Sequence, residues 1–154
     1  MEVASADPDS VEARRLIAQL DAALAALTGD TGAASFDAND VRGPGAAFML
    51  ARDAHGAAVG CGALRVLDGA APLPVGELKR MYAQPGSGAG AYLLAALERR
   101  ALECGYRALW LSTRRVNTRA LDFYRRHGYR EVAPYGRYVG RDVSVCLGRS
   151  LADE

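Results

Sequence analysis

The sequence predicts one mixed α/β domain, and three observations predict it. Leucines at helical spacing open the chain, short apolar runs separated by turn residues fill its middle, and strands and helices alternate from about residue 75 onward. A length of 154 residues suits one domain with its own core and is short for two. Half of the residues are hydrophobic and 24% are charged, the balance of a globular chain and not of a disordered one.

The first helix rests on Leu16, Leu20, Leu24 and Leu27, with Ile17 beside them. Asp7-Pro8 reads as its N-cap and first turn, and Gly29 as its stop. Phe36 to Val41 reads as a short second helix, ended by Gly43-Pro44. Ala46 to Arg52 and Ala57 to Leu67 form a hairpin about the turn Asp53-Ala54-His55-Gly56. Gly60 and Gly62 inside its second strand mark a bulge or a close backbone approach. A Gly/Ala/Pro linker, Asp68 to Pro74, leads to a strand from Val75 to Ala83. The next helix carries Leu93, Leu94, Leu97 and Ala101, with Gly105 just past its end. A strand from Ala108 to Thr113 follows. Asn117 or Thr118 then caps a helix with Leu121 and Tyr124, which Gly128 stops. The alternation of Val143, Val145 and Leu147 marks the last strand.

The charges nearly cancel, at a net +1, so nothing favours a nucleic-acid partner. Arg114, Arg115, Arg119, Arg125 and Arg126 form a local basic cluster, readable as a solvated helix face or as a rim beside an anionic cofactor. Cys61, Cys104 and Cys146 lack metal or redox spacing and read as free thiols in a reducing compartment. No metal is expected. The first residues lack the layout of a signal peptide, and no apolar run approaches a membrane span. The expected location is cytoplasmic, with no membrane partner.

The chemistry gathers at Pro85-Gly86-Ser87-Gly88-Ala89-Gly90, between a strand and a helix. First-turn N–H groups have no intrahelical partner, the helix dipole adds positive potential, and glycine lets a phosphate approach the backbone. The same composition also suits a flexible linker. A P-loop would need Gly-Lys-Ser/Thr where this helix opens Gly90-Ala91-Tyr92. A dinucleotide site would need an acidic residue after the following strand, which here ends Ser112-Thr113-Arg114.

The turn resembles motif A of the GNAT N-acetyltransferase superfamily, written R/Q-x-x-G-x-G/A. The likeness extends over Gly76-Glu77-Leu78-Lys79-Arg80-Met81-Tyr82-Ala83, similar to the family's fourth strand, and over the helix from Ala89 to Gly105. It also takes in Ala120 to Tyr129, similar to A-x-x-x-Y-x-x-x-G-F/Y. It departs at the turn, which is about three residues shorter than usual. Pro85, with no N–H to donate, stands where an Arg or Gln begins the motif, and Gln84 lies one position early.

The resemblance implies a mixed, mainly antiparallel central sheet flanked by helices on both faces. It implies transfer of an acetyl group from acetyl-CoA to a primary amine of a small molecule by direct attack, with CoA as product. Glu77 would be the base, or else a strand carboxylate paired with Lys79 or Arg80. Tyr124 would contact the cofactor and protonate the leaving thiolate, or else pack its helix. Backbone groups of Met81, Tyr82 and Ala83 would bind the thioester and pantetheine arm. Gln84, Gly86, Ser87, Gly88, Ala89 and Gly90 would cradle the pyrophosphate. Asn117 would contact CoA as well as cap its helix. Tyr135 and Tyr138, in a Pro-Tyr-Gly-Arg-Tyr tail, would line the acceptor pocket or else form a surface turn. His55 and His127 have no catalytic part. Two further expectations are a rival function as a non-catalytic acyl-CoA-binding module, prompted by the short turn, and a homodimer paired through an exposed last strand.

Overall fold

The computed structural model describes residues 1–69 and 74–151. The strands are β1 (Glu2–Ser5), β2 (Ala47–Arg52), β3 (Ala58–Leu67), β4 (Val75–Ala83), β5 (Ala108–Arg114), β6 (Arg130–Glu131) and β7 (Ser144–Ser150). The α-helices are α1 (Val11–Thr28), α2 (Ala89–Glu103) and α3 (Thr118–Arg126). One sheet holds every strand in the order β1-β2-β3-β4-β5-β7-β6. Its pairings are antiparallel except that of β4 with β5. Leu93, Leu94 and Leu97 of α2 and Leu121 and Tyr124 of α3 pack one core cluster with Leu64, Leu78 and Leu109 of the sheet. Ala13 and Leu16 of α1 join Phe48, Leu50 and Cys61 in another. The expected sheet with helices on both faces is what forms.

Several expectations change in detail. Ser10, not Asp7, caps α1: its Oγ accepts from Ala13 N at 3.2 Å. The Asp7 carboxylate is occupied by Asp9 N at 2.9 Å and by Arg42 at 3.0 Å. Within the leucine stripe, Leu16 and Leu20 are buried, whereas Leu27 is exposed. The short second helix expected over Phe36 to Val41 is a 3-10 turn, Ala38–Val41, and another, Ala33–Ser35, precedes it. The linker expected over 68–74 falls in part on 70–73, outside the described residues. The strands β1 and β6 are additions; each is short and takes its form from a neighbour, β2 or β7. The last strand begins at Ser144, one residue past Val143. It lies between β5 and β6, so it is not the continuous free edge expected for pairing with a second copy. Among the described residues, no helix is long and apolar enough to cross a membrane.

The hairpin glycines do both things expected of them. The β3–β4 register shifts between Cys61 and Ala63, so that Arg80 and Met81 together face Gly62. A Cβ on Gly60 would lie 2.8 Å from Leu93 Cδ1, 2.9 Å from Ala89 Cβ and 2.9 Å from the Tyr82 carbonyl oxygen. The bare backbone therefore lets α2 settle onto β3.

Candidate active site

The bulge in β4 shapes the centre of the molecule. Arg80 adopts φ 54°, a left-handed conformation that costs a non-glycine residue about 1 kcal/mol. Its buried side chain holds that conformation in place. The guanidinium pairs with Asp21 of α1 and donates to the Thr31 carbonyl at 3.1 Å. Bulges add twist and bend to the strand that carries them. The strands β4 and β5 pair only where Val75, Gly76 and Glu77 meet Ala108, Leu109 and Trp110. Beyond that point β4 runs on to Ala83 and β5 to Arg114 without pairing to each other.

A cleft of about 210 Å³ occupies the gap. Met81 and Leu111 line it from the strands, Asn117, Ala120 and Tyr124 from α3, Leu20 and Leu24 from α1, and Arg137, Tyr138 and Arg141 from the segment before β7. Asn117 caps α3, its Oδ1 accepting from Ala120 N at 3.2 Å. The Tyr124 ring meets Tyr129 edge-on at 5.6 Å, and Tyr129 is anchored by donating to Glu98 at 2.7 Å. Burial pushes the Tyr124 phenol well above its usual range, so it keeps its proton across neutral pH.

Of the residues singled out from the sequence, Met81, Asn117, Tyr124 and Tyr138 come together in this cleft. Glu77 and Tyr135 do not line it. Glu77 is 1% exposed; its Oε1 accepts from Arg65 Nε at 2.8 Å and its Oε2 from the Tyr135 hydroxyl at 2.8 Å. Its ionic partner is therefore Arg65, directly across the β3–β4 register, and neither Lys79 nor Arg80. The Tyr135 ring packs on Trp110 at 5.5 Å and edge-on to Tyr138 at 5.4 Å. Lys79 Nζ in turn donates to the Tyr138 hydroxyl at 3.0 Å. Glu77 and Tyr135 thus form a wall behind Tyr138.

Tyr82, Ala83 and the segment Gln84 to Gly90 also lie outside the cleft lining. The short turn has a local cause. Ser87 N donates to the Gln84 carbonyl at 3.0 Å, with Pro85 and then Gly86, at φ 79°, between them. This is the pattern of a type II turn, with proline second and a positive-φ glycine third. Gly88, at φ 72°, then begins α2, and Ser87 Oγ accepts from Ala89 N at 3.2 Å. Gln84 Nε2 reaches Gln19 of α1 at 3.1 Å.

The sequence reading missed Lys79, Arg80, Arg114 and Arg141 as cleft residues, along with the α1 wall. Arg114 stood in the basic cluster and Arg137 in the tyrosine tail, which were partial signals. Arg119, Arg125 and Arg126 point to solvent on α3, as a solvated face would. His55 sits in the exposed hairpin turn, and His127 is the C-cap residue of α3.

Comparison with known proteins places this architecture. Residues 15–129 match the Acetyltransferase (GNAT) family. An IAA acetyltransferase from Azospirillum brasilense is 31% identical over 141 residues, which cover 89% of each chain. The structure of a candidate acyl-CoA N-acyltransferase from Klebsiella pneumoniae subsp. pneumoniae superposes with a TM-score of 0.79 at 28% identity, covering 98% of this chain and 97% of the other. An aminoglycoside 6'-N-acetyltransferase solved with coenzyme A shares the fold at a TM-score of 0.70 and 14% identity, over 100% and 99% of the two chains. The splayed strands, the glycine turn ahead of α2 and the tyrosine on α3 therefore stand in a chain that belongs to the Acetyltransferase (GNAT) family.

Proposed function

We propose that this protein moves an acetyl group from acetyl-CoA to a primary amine of a small molecule, by direct attack, in the cytoplasm. The observation that carries the reading is the gap between β4 and β5, with the Tyr124 hydroxyl group's residue on its wall. The residues present fit an acyl-CoA. Leu78 to Ala83 leave a strand edge unpaired toward β5, suited to an extended pantetheine arm. The N-terminus of α2, entered through Gly86 and Gly88, offers backbone N–H groups and a positive dipole end for a pyrophosphate.

Acetyl-CoA supplies an activated acyl thioester. Backbone N–H groups of Met81 to Ala83 would hold the thioester carbonyl; donors of this kind contribute about 3 kcal/mol each where negative charge develops on oxygen. Tyr124, protonated at neutral pH, would give its proton to the departing sulfur. A thiol titrates near ~8.5, so the thiolate leaves fairly well unaided and the acid assists the step without being essential. Asn117 would orient the start of α3 at the cleft. Glu77, the base implied by resemblance, has both oxygens engaged behind Tyr135. In this reading it positions Tyr135 and, through it, Tyr138. Pairing of two copies, expected through the last strand, would instead use β1, and light scattering at the mass of one chain removes it.

Purified protein should release thiol from acetyl-CoA when a panel of primary amines is added. Cofactor binding by calorimetry without release for any amine would favour a non-catalytic acyl-CoA-binding module with a shortened pyrophosphate turn. Absence of binding would remove both readings.

A further inference from the structure

The cleft is unevenly charged. Lys79, Arg80, Arg114, Arg137 and Arg141 line it, against a single carboxylate, Asp30. Arg80 is neutralised by its ion pair with Asp21, and Asp30 lies 3.9 Å from Arg114. Among the described residues, the guanidinium groups of Arg137 and Arg141 have no ion-pair or hydrogen-bond partner. Arg114 Nε is buried without a partner. A positive surplus therefore remains on the side of the cleft formed by the 137–141 segment, and it is not taken up by the protein's own acids.

A protonated amine carries positive charge and would be repelled by such a site. An acceptor can enter favourably only if it brings compensating negative charge. The planar guanidinium fork matches a carboxylate bidentately. We propose that the acceptor is a primary amine that also bears a carboxylate, held by Arg137 and Arg141 with its amine directed toward the gap between β4 and β5. This inference rests on the acetyltransferase reading above.

The test compares matched acceptors by thiol release from acetyl-CoA: amino acids against their carboxamides, and ω-amino acids against alkylamines of equal length. The carboxylate member of each pair should show a kcat/KM higher by about tenfold or more, the yield of one charge-assisted hydrogen bond. The double variant Arg137→Gln/Arg141→Gln should bring each pair to equality by raising the acceptor KM. Arg137→Lys/Arg141→Lys should restore part of the preference, since it keeps the charge and loses the fork. Equal turnover of acids and amides by the native protein would overturn the inference and leave the acetyltransferase reading standing. A rise in the acetyl-CoA KM with the acceptor preference intact would also overturn it, by assigning these arginines to the cofactor. No turnover of any amine would end the acetyltransferase reading and this inference together.

Discussion

At the scale of single residues, Tyr124 and Glu77 sit in different surroundings. Tyr124 stands on the cleft wall and keeps its proton at neutral pH as any phenol does, the more firmly because burial raises it. Tyr124→Phe should lower kcat by about a hundredfold, near the low end for a general acid, and leave the acetyl-CoA KM nearly unchanged; equal kcat in the variant would remove it from the mechanism. Glu77→Ala would leave the buried Tyr135 hydroxyl without an acceptor and Arg65 with Asp40 alone, and should cost about 2 kcal/mol in urea unfolding. Glu77→Gln, which still offers Tyr135 an acceptor, tells positioning from base catalysis. Positioning predicts a rise in acceptor KM with the pH profile of kcat unmoved, whereas a lost base would remove the acid limb of that profile. Cys61 presents a simpler case: burial raises its thiol to about 12, so it should resist thiol reagents at pH 8 until the protein unfolds. The Tyr124 position was legible from a ten-residue motif. The confinement of Glu77 was not, because Arg65 and Tyr135 reach it from another strand and from a segment far along the chain.

At the scale of elements, α2 and the strands beneath it form one unit. Gly60→Ala would drive a methyl group into Leu93, Ala89 and the Tyr82 carbonyl, and the last of these is backbone that cannot swing aside. The expected cost is about 2 kcal/mol of stability, with weaker acetyl-CoA binding by calorimetry because the start of α2 shifts. Unchanged affinity would mean that the glycine turn does not hold the cofactor. The start of α1 is secured by surface pairs. The Asp9 N–H and then Arg42 hold the Asp7 carboxyl, and Arg52 the Glu12 carboxyl, below their ordinary values of 3.8 and 4.5. A lowered carboxyl contributes stability above its unfolded value, and that contribution is lost as pH falls through the folded one. The urea midpoint should therefore fall below about pH 4, and modestly, since exposed pairs are weak. An equal midpoint at pH 5 and pH 3 would contradict it. Element boundaries were largely readable: β4 runs from Val75 to Ala83, between the Gly/Ala/Pro linker and the glycine turn that bound it in the sequence. The start of α1 was misread because Asp7 and Ser10 are both good capping residues, and only the position of Arg42 shows which of them is otherwise engaged.

At the scale of the whole molecule, the cleft is a product of sheet topology. The last strand β7 inserts beside β5, and β4 meets β5 over three residue pairs only. The gap is then walled by segments from α1, α3 and residues 137–141. Replacing Arg80 by Gly tests this arrangement as a unit: glycine accepts φ 54° freely, but the tie to Asp21 and Thr31 disappears. The variant should remain folded by circular dichroism and lose acceptor affinity as α1 loosens from the cleft. Unaltered acceptor KM would show that the α1 wall does not depend on that tie. By itself the sequence determined the fold class, the order of the main elements and the family, because these rest on local periodicity, turn residues and short motifs. Only the tertiary structure decided which charged groups face the cleft and which are already neutralised. That balance depends on side chains far apart in the chain, Arg80 with Asp21 and Glu77 with Arg65 and Tyr135, and their meeting is fixed by strand register and helix docking, which no local pattern encodes.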